Sequence, residues 1–459
     1  MTETPTESRS EAAGLPPGLT TEPARRAAAV PVRLLTKAEA EGAAAGRRAA
    51  KLLRFDGSVG QVVADEEGVL VGIGEGEEPL ALGAAAARLA AGDYRLEGAA
   101  DAQALGLHAL AWAMGAYRFE RYKSGGPVPT LVLDEDVDAA AVARDARAVR
   151  LARDLVNTPA EDMTPAALAD AAAQVAKAHD AQVEVISGDA LREGFPLVHT
   201  VGRAAAATPR LVDLRWGTRG PKVTLVGKGV CFDSGGLNVK GATGMALMKK
   251  DMGGAANALA LAQSVMEAGL DIQLRLLIPA VENAIGGNAF RPGDVYRARD
   301  GQTVEISNTD AEGRLILADA LAYAKEDAPD RIVSLATLTG AARVALGPDL
   351  APVYSTDEAF RDRVIEQGAR RADPCWPMPF WDRYDEYLKS DIADVNHAST
   401  NSFAGSVTAA LFLRRFVGTV PYTHLDIYAW VPSARPGRPQ GGEAIGVRAL
   451  FGALASEAG

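Results

Sequence analysis

The chain has 459 residues, 48% hydrophobic and 23% charged, which suits a globular protein with more than one ordinary core. Its 48 lysines and arginines against 59 acidic residues leave a net charge of −11, which disfavours a general electrostatic grip on nucleic acid. Two cysteines make no disulfide framework, and no apolar run reaches the roughly 18 residues of a membrane span.

Residues 1–27 are polar, proline-rich and mixed in charge. They lack an apolar signal core and are expected to be a disordered tail on a cytoplasmic protein. Residues 28–142 read as a smaller α/β domain, with strands from Val30 to Leu35, Gly68 to Ile73 and Val128 to Leu133, and an Ala-rich helix from Leu82 to Ala91. Gly72, Gly74 and Gly76 superficially suggest a dinucleotide loop, but the full spacing is missing and Glu77-Glu78-Pro79 follows. The Ala/Arg-rich stretch 138–156 reads as a helix connecting into a larger domain, 143–459. There strand and helix patterns alternate over 223–230, 255–267, 272–280, 303–307, 314–326 and 331–336. Such alternation predicts an α/β fold with a mixed sheet flanked by helices, and sites in these folds gather at strand C-termini.

Two clusters lie at such ends. The first is Lys228-Gly-Val-Cys-Phe-Asp233-Ser-Gly-Gly-Leu-Asn-Val-Lys240, followed by Lys249-Lys250-Asp251-Met-Gly-Gly. Lys228 and Asp233 are five apart, so a regular strand would point them to opposite faces, and the chain must bend if both serve one site. Asp251 stands just before a helical pattern, where an N-cap is its ordinary role. A phosphate cradle is the other reading of this Gly-rich strand end, but no G-x-x-x-x-G-K-[ST] is present. Cys231 reads as a small buried side chain.

The second cluster is Asn308-Thr-Asp310-Ala-Glu312-Gly-Arg314-Leu315. If extended, it would put Asp310, Glu312 and Arg314 on one face, where two like charges call for a proton or a cation between them. Thr309-x-x-Glu312 is equally a capping box that opens the helix of Leu315, Ala318 and Leu321. The two readings are compatible.

With these blocks on view, the chain resembles the leucine aminopeptidase (cytosol aminopeptidase) family of two-metal exopeptidases. The family's N-T-D-A-E-G-R-L stands unaltered at 308–315, its V-G-K-G-x-x-F-D-S-G-G-x-x-x-K at 226–240 and its M-K-x-D-M-G-G at 248–254. Arg153 to Pro159, Leu335 to Gly340, Ser390 to Asp394, Gly405 with Ala409 to Leu413, and His424 to Ile427 are further marks. The match runs with gaps from about residue 150 to the end, and the N-terminal third carries no comparable motif.

The resemblance implies a metal-dependent aminopeptidase acting on peptides. Lys228, Asp233, Asp251 and Glu312 would surround one divalent ion, and Asp233, Asp310 and Glu312 the other, with zinc, manganese or magnesium as candidates. Lys240 would polarise the scissile carbonyl, and Arg314 would hold a bicarbonate ion as general base. Met248, Thr337, Leu338 and Gly340 would line the first side-chain pocket, with Asn308 nearby. It also implies a homohexamer with its sites facing an interior cavity. The five histidines, His108, His179, His199, His397 and His424, all lie outside both clusters, and no H-E-x-x-H is present. His424 is expected to pack near the site.

Two departures bear on specificity. Tyr428-Ala429-Trp430 follows H-L-D-I directly where the family usually has an Ala-Gly pair before its Trp, and a Pro/Gly/Arg loop from Pro432 to Gly442 comes next. An apolar pocket discriminates only modestly between side chains, so a broad preference for the N-terminal residue is expected. Glu161 stands where Asn is common, away from the chemistry. Two other functions belong to different classes: a DNA-binding architectural relative, and an amidase acting on amino-acid conjugates.

Overall fold

The computed structural model describes residues 14–98, 101–399 and 401–458. The chain divides into two compact units, Met1–Arg150 with Val431–Gln440, and Leu151–Trp430 with Gly441–Gly459. Most of the Pro/Gly/Arg loop thus groups with the first unit, which no local pattern announces.

The first unit is built on a six-stranded sheet in the order Leu19–Thr20, Thr130–Val132, Asp93–Glu97, Val30–Leu35, Gly68–Gly72, Val62–Asp65. All its pairs are parallel except the last, where Val62–Asp65 returns antiparallel. Parallel neighbours need crossovers, and Ala102–Ala116 supplies one. Asp101 caps this helix by accepting from Ala104 N at 2.8 Å, and the buried Trp112 donates its indole N–H to Pro129 O at 3.2 Å.

The disordered tail expected over 1–27 holds neither for the strand nor for the helical turn found there. Residues 1–13 lie outside the described residues, but Leu19–Thr20 adds a parallel strand beside Thr130–Val132, and Pro23–Arg26 is helical. Leu19 is buried, Arg25 Nε donates to Asp93 Oδ2 at 2.9 Å, and Arg26 pairs with Asp134 at 2.6 Å. These partners are 68 and 108 residues away, so a polar composition gave no sign of them.

The second unit carries a nine-stranded mixed sheet. Its order is Cys375–Met378, Ala351–Ser355, Tyr422–Asp426, Arg331–Ala336, Lys222–Gly227, Gln273–Asn283, Arg210–Trp216, Gln182–Ser187, with Gly229–Asp233 also paired to Gln273–Asn283. The central strands, Tyr422–Asp426 through Gln273–Asn283, run parallel, and Arg210–Trp216 and Gln182–Ser187 complete one side antiparallel. Helices flank the sheet. In Gly253–Glu267 and Glu312–Glu326 nearly every residue is buried, which is why their alanines and leucines show no narrow amphipathic stripe. Burial of Leu315, Ile316, Leu317 and Leu321 in the main core fixes the helix that begins at the second cluster.

Candidate metal centre

The parallel strands end together, and their C-terminal ends carry the clusters. Lys228 follows the Lys222–Gly227 strand, Asp233 closes Gly229–Asp233, Asn283 closes Gln273–Asn283, Thr337 follows Arg331–Ala336 and Asp426 closes Tyr422–Asp426. The bend required between Lys228 and Asp233 has two parts. The chain leaves one strand at Gly227 and enters another at Gly229, and pairing with Gln273–Asn283 shifts register between Val230 and Asp233. A bulge of this kind re-aims a side chain.

The octapeptide is not extended. Thr309–Ala311 is a 3-10 turn and Glu312–Glu326 an α-helix, so strand alternation is not what gathers its charges. The capping-box version fails too, because Asn308 caps the turn, its Oδ1 accepting from Asp310 N at 2.9 Å. Thr309 instead latches the two clusters together. Its hydroxyl donates to Gly235 O at 2.6 Å and accepts from Asn238 N at 2.8 Å, while Thr309 N donates to Asn238 Oδ1 at 2.8 Å. Gly235 adopts φ +86°, and a Cβ there would lie 2.4 Å from Asn238 O and 2.9 Å from Asp310 Oδ1. Only glycine suits that turn.

The result is a tight group of charges. Asp233, Asp310 and Glu312 each offer a carboxylate oxygen, all within 4.8 Å of one another. Lys228 Nζ lies 2.6 Å from Asp251 and 3.0 Å from Glu312, and donates to Thr337 O at 2.8 Å. Lys240 Nζ lies 2.8 Å from Asp233 and 2.5 Å from Asp310. Asp251 is no N-cap; its Oδ1 accepts from Thr337 Oγ1 at 2.9 Å. Arg314 is buried one step further along, and its Nη1 donates to His397 O at 2.8 Å.

Burial opposes every charge here, and the neighbours decide which survive. It would strip Lys228 of its proton, but Asp251, Glu312 and Asp233 hold the amine above the ordinary lysine range. Lys240 is raised likewise, Asp233 and Asp310 outweighing its burial. Burial and then Asp233 push Glu312 well above the carboxylate range, and burial and Asp251 raise Asp233. The burial of Asp251 is outweighed by Lys228 and Lys250, which keep its carboxyl low. Burial draws Lys250 down to about 8 and Arg314 down to about 10.

This set fits divalent cations. Among the described residues Glu312 Oε2 is buried without a hydrogen-bond partner. Asp251 Oδ2 and Asp310 Oδ1 touch lysine ammoniums at 2.6 and 2.5 Å, yet these ion pairs lack the alignment of hydrogen bonds. Buried carboxylate oxygens in one small space are what a cation satisfies, and oxygen donors with a single amine suit Zn²⁺, Mn²⁺ or Mg²⁺.

Of the other candidate residues, Thr337 touches this group, its carbonyl accepting from Lys228 and its hydroxyl donating to Asp251. Met248 and Leu338 are half-buried, Gly340 is exposed at the start of Gly340–Leu346, and Thr337 is buried. His424 packs as expected, with Nδ1 2.8 Å from Ser334 Oγ and its ring stacked on Tyr354 and Tyr422. Cys231 is buried, and its thiol is pushed up by that burial.

Three supporting residues escaped the sequence reading. Asn283 Nδ2 donates to Asp233 Oδ1 at 2.8 Å and to Thr309 O at 3.0 Å. His397 sets Nε2 2.8 Å from Asn308 O, and burial lowers its pKa to about 3, so the imidazole is neutral. Asp426 accepts from Leu338 N, Thr339 N and Thr339 Oγ1 at 3.1, 3.0 and 2.6 Å, which holds the loop after Ala336. Only Asp426 lay in a recognised block; nothing local marked the other two.

Comparison with known proteins supplies the family. Residues 150–451 match the family model described as the cytosol aminopeptidase family, catalytic domain, and residues 30–133 match the M17 aminopeptidase N-terminal domain. A probable cytosol aminopeptidase of Roseiflexus castenholzii is 42% identical over 362 residues, covering 74% of each chain. One of Geobacter sp. strain M21 is 41% identical over 362 residues, covering 75% of this chain and 74% of that one. The crystal structure of the cytosol aminopeptidase from Coxiella burnetii superposes with a TM-score of 0.88 at 42% identity, covering 94% of this chain and 98% of that one. The bottromycin maturation enzyme BotP in complex with Mn gives 0.86 at 34% identity, covering 94% and 99%. The chain therefore belongs to the cytosol aminopeptidase family and is a metal-dependent, leucyl-type aminopeptidase, a hydrolase.

Proposed function

We propose that the chain holds two divalent ions in this acidic interior and removes the N-terminal residue from peptides. Lys228, Asp233, Asp251 and Glu312 would hold one ion, and Asp233, Asp310 and Glu312 the other. The observation that carries this reading is the meeting of three carboxylates within 4.8 Å beside Lys228, with Glu312 Oε2 buried and unsatisfied among the described residues. Ions bound there supply Lewis acidity and a water that is nucleophilic at neutral pH. The manganese named for BotP makes that metal a first choice.

The chain's own groups supply the rest. Lys240, side by side with Asp233 and Asp310, donates to the scissile carbonyl oxygen and stabilises the charge that develops on it. Lys228 must be neutral to act as a ligand, whereas its carboxylate neighbours favour the charged form, so loading releases its proton and weakens as pH falls. Arg314 keeps Nε without a partner among the described residues, and we assign it a bicarbonate ion as proton acceptor. The free amine of the substrate is recognised beside Lys228 and Asp251, and an internal residue has no such amine. Met248, Thr337, Leu338 and Gly340 line the pocket for the released side chain, with Asn308 at its edge. We take residues 28–142 as the N-terminal domain and 143–459 as the catalytic domain, close to the matched spans. A homohexamer working in the cytoplasm completes the reading, the location resting on the relatives' shared description as cytosol enzymes.

The test combines elemental analysis with two substrates, a leucyl anilide and its N-acetylated form. Two metal equivalents per chain and cleavage of the free-amine compound alone are expected. Glu312→Gln should lose turnover by about a thousandfold with the fold intact, the scale of losing a transition-state contact in several catalytic sites. Cleavage of the acetylated compound, or near-normal kinetics in that variant, would end this reading.

A further inference from the structure

Beside the centre, two cations face one aromatic ring without an anion of their own. Lys250 is only 6% exposed, and among the described residues its ammonium makes no hydrogen bond. The carboxylate it meets is Asp251, at 3.9 Å, and Asp251 is already engaged by Lys228 at 2.6 Å and Thr337 at 2.9 Å. Lys250 Nζ stands 5.1 Å from the ring centroid of Tyr428. The guanidinium of Arg343 stands 5.2 Å from the same centroid, with Nη1 3.4 Å from Tyr428 Oη, and makes no ion pair among the described residues.

The chain is bent to bring that ring here. Ala429 adopts φ +54°, a conformation that costs an L-residue about 1–2 kcal/mol. Its methyl fills the space over Gly253, where an added Cβ would come within 2.4 Å of it and 3.1 Å of Thr337 Cγ2. Tyr428 thereby stands beside the segment Met248–Met252, from which Lys250 faces its ring and Met248 was assigned to the pocket above. A mostly buried ammonium such as that of Lys250 is costly unless an anion meets it, and a purely apolar pocket gives no reason to set a second cation beside it.

We propose that Lys250 and Arg343, gathered on the Tyr428 ring, form a carboxylate-binding end to the side-chain pocket, so that the enzyme favours peptides beginning with glutamate or aspartate over those beginning with their uncharged amides. The inference rests on the aminopeptidase reading given above. Tyr428 orients both cations through its ring face and hydroxyl, and a substrate carboxylate completes the pairing that Asp251 does not provide.

Steady-state kinetics on manganese-loaded full-length protein test it, with glutamyl-alanine, glutaminyl-alanine and leucyl-alanine as substrates. The glutamyl and glutaminyl compounds have the same shape and differ in charge, so their kcat/KM ratio isolates the proposed contact. A ratio of at least about tenfold is expected, falling towards one in Lys250→Met and in Arg343→Gln, as for loss of a charge-assisted hydrogen bond. A merely structural role would lower all three substrates together and leave the ratio unchanged. Arg343 is exposed, so its variant carries the test even if Lys250→Met does not fold. A wild-type ratio near one, or a ratio unmoved by both changes, overturns the inference. Efficient cleavage of glutaminyl-alanine with poor cleavage of the glutamyl compound overturns it alone, whereas no release from any of the three overturns the aminopeptidase reading as well.

Discussion

Replacing Gly313 with alanine adds a single methyl group at the point where the helix Glu312–Glu326 passes Lys228. The new Cβ would lie 2.5 Å from Lys228 Cε and 2.7 Å from both Cδ and Nζ. Comfortable contacts between such atoms need roughly 3.5–4.0 Å, so the lysine must retreat by about 1 Å. It has nowhere to go: its amine is fixed by Asp251, Glu312 and Thr337 O, and the side chain is 3% exposed. Overpacking costs about 1–3 kcal/mol, and exchanging a helical glycine for alanine returns about 1 kcal/mol. The variant should therefore unfold at most about 2 kcal/mol more easily than the parent. Activity should suffer far more, because a displacement of about 1 Å at a reacting centre costs on the order of a hundredfold. Chemical denaturation, elemental analysis and leucyl anilide kinetics on one preparation separate the two effects. Gly287→Ala is the control, since an added Cβ there meets nothing within 4 Å. A Gly313→Ala protein with full metal content and a rate within about threefold of the parent would refute the role given to Lys228.

Two further expectations concern stability. His424 is buried and neutral, its pKa lowered to about 3 by that burial, whereas the unfolded chain takes up a proton near 6.5. Between those values the unfolded state binds more protons, so stability is lost as pH falls below 6.5, by about 2 kcal/mol at pH 5 for this residue. Denaturation at pH 7 and pH 5 should show that loss shrinking in His424→Gln, and equal losses would mean the imidazole is already charged in the folded protein. Arg153 and Glu443 form a fully buried ion pair at 2.9 Å. Arg153→Met should cost about 3–5 kcal/mol, the scale of removing one partner of a buried pair, and adding Glu443→Gln should restore much of it; a single-variant loss below about 1 kcal/mol would count against the pair.

Much of the candidate site was legible in the sequence, and for different reasons at different residues. The octapeptide at 308–315 and the Lys228–Lys240 block stand in the chain as contiguous strings, so the resemblance could be read residue by residue. Their local shape could not. Alternation suggested a strand and Thr309-x-x-Glu312 a capping box, but the Thr309 hydroxyl bonds to Gly235 and Asn238 instead, more than seventy residues away. Tertiary partners overrode a local preference worth about 1 kcal/mol. His397 and Asn283 were invisible for the same reason, since their partners at Asn308 and Asp233 are 89 and 50 residues distant.

By itself the sequence determined the family, the α/β alternation of the larger unit and the helices at Gly253 and Glu312, because motif strings and hydrophobic periodicity are properties of neighbouring residues. Only the tertiary structure decided which distant ends meet. It joined Leu19–Thr20 to a sheet edge, grouped Val431–Gln440 with the first unit, and drew Lys250 and Arg343 to one tyrosine ring. Strand order and packing govern those encounters, and neither is written in the spacing of adjacent side chains.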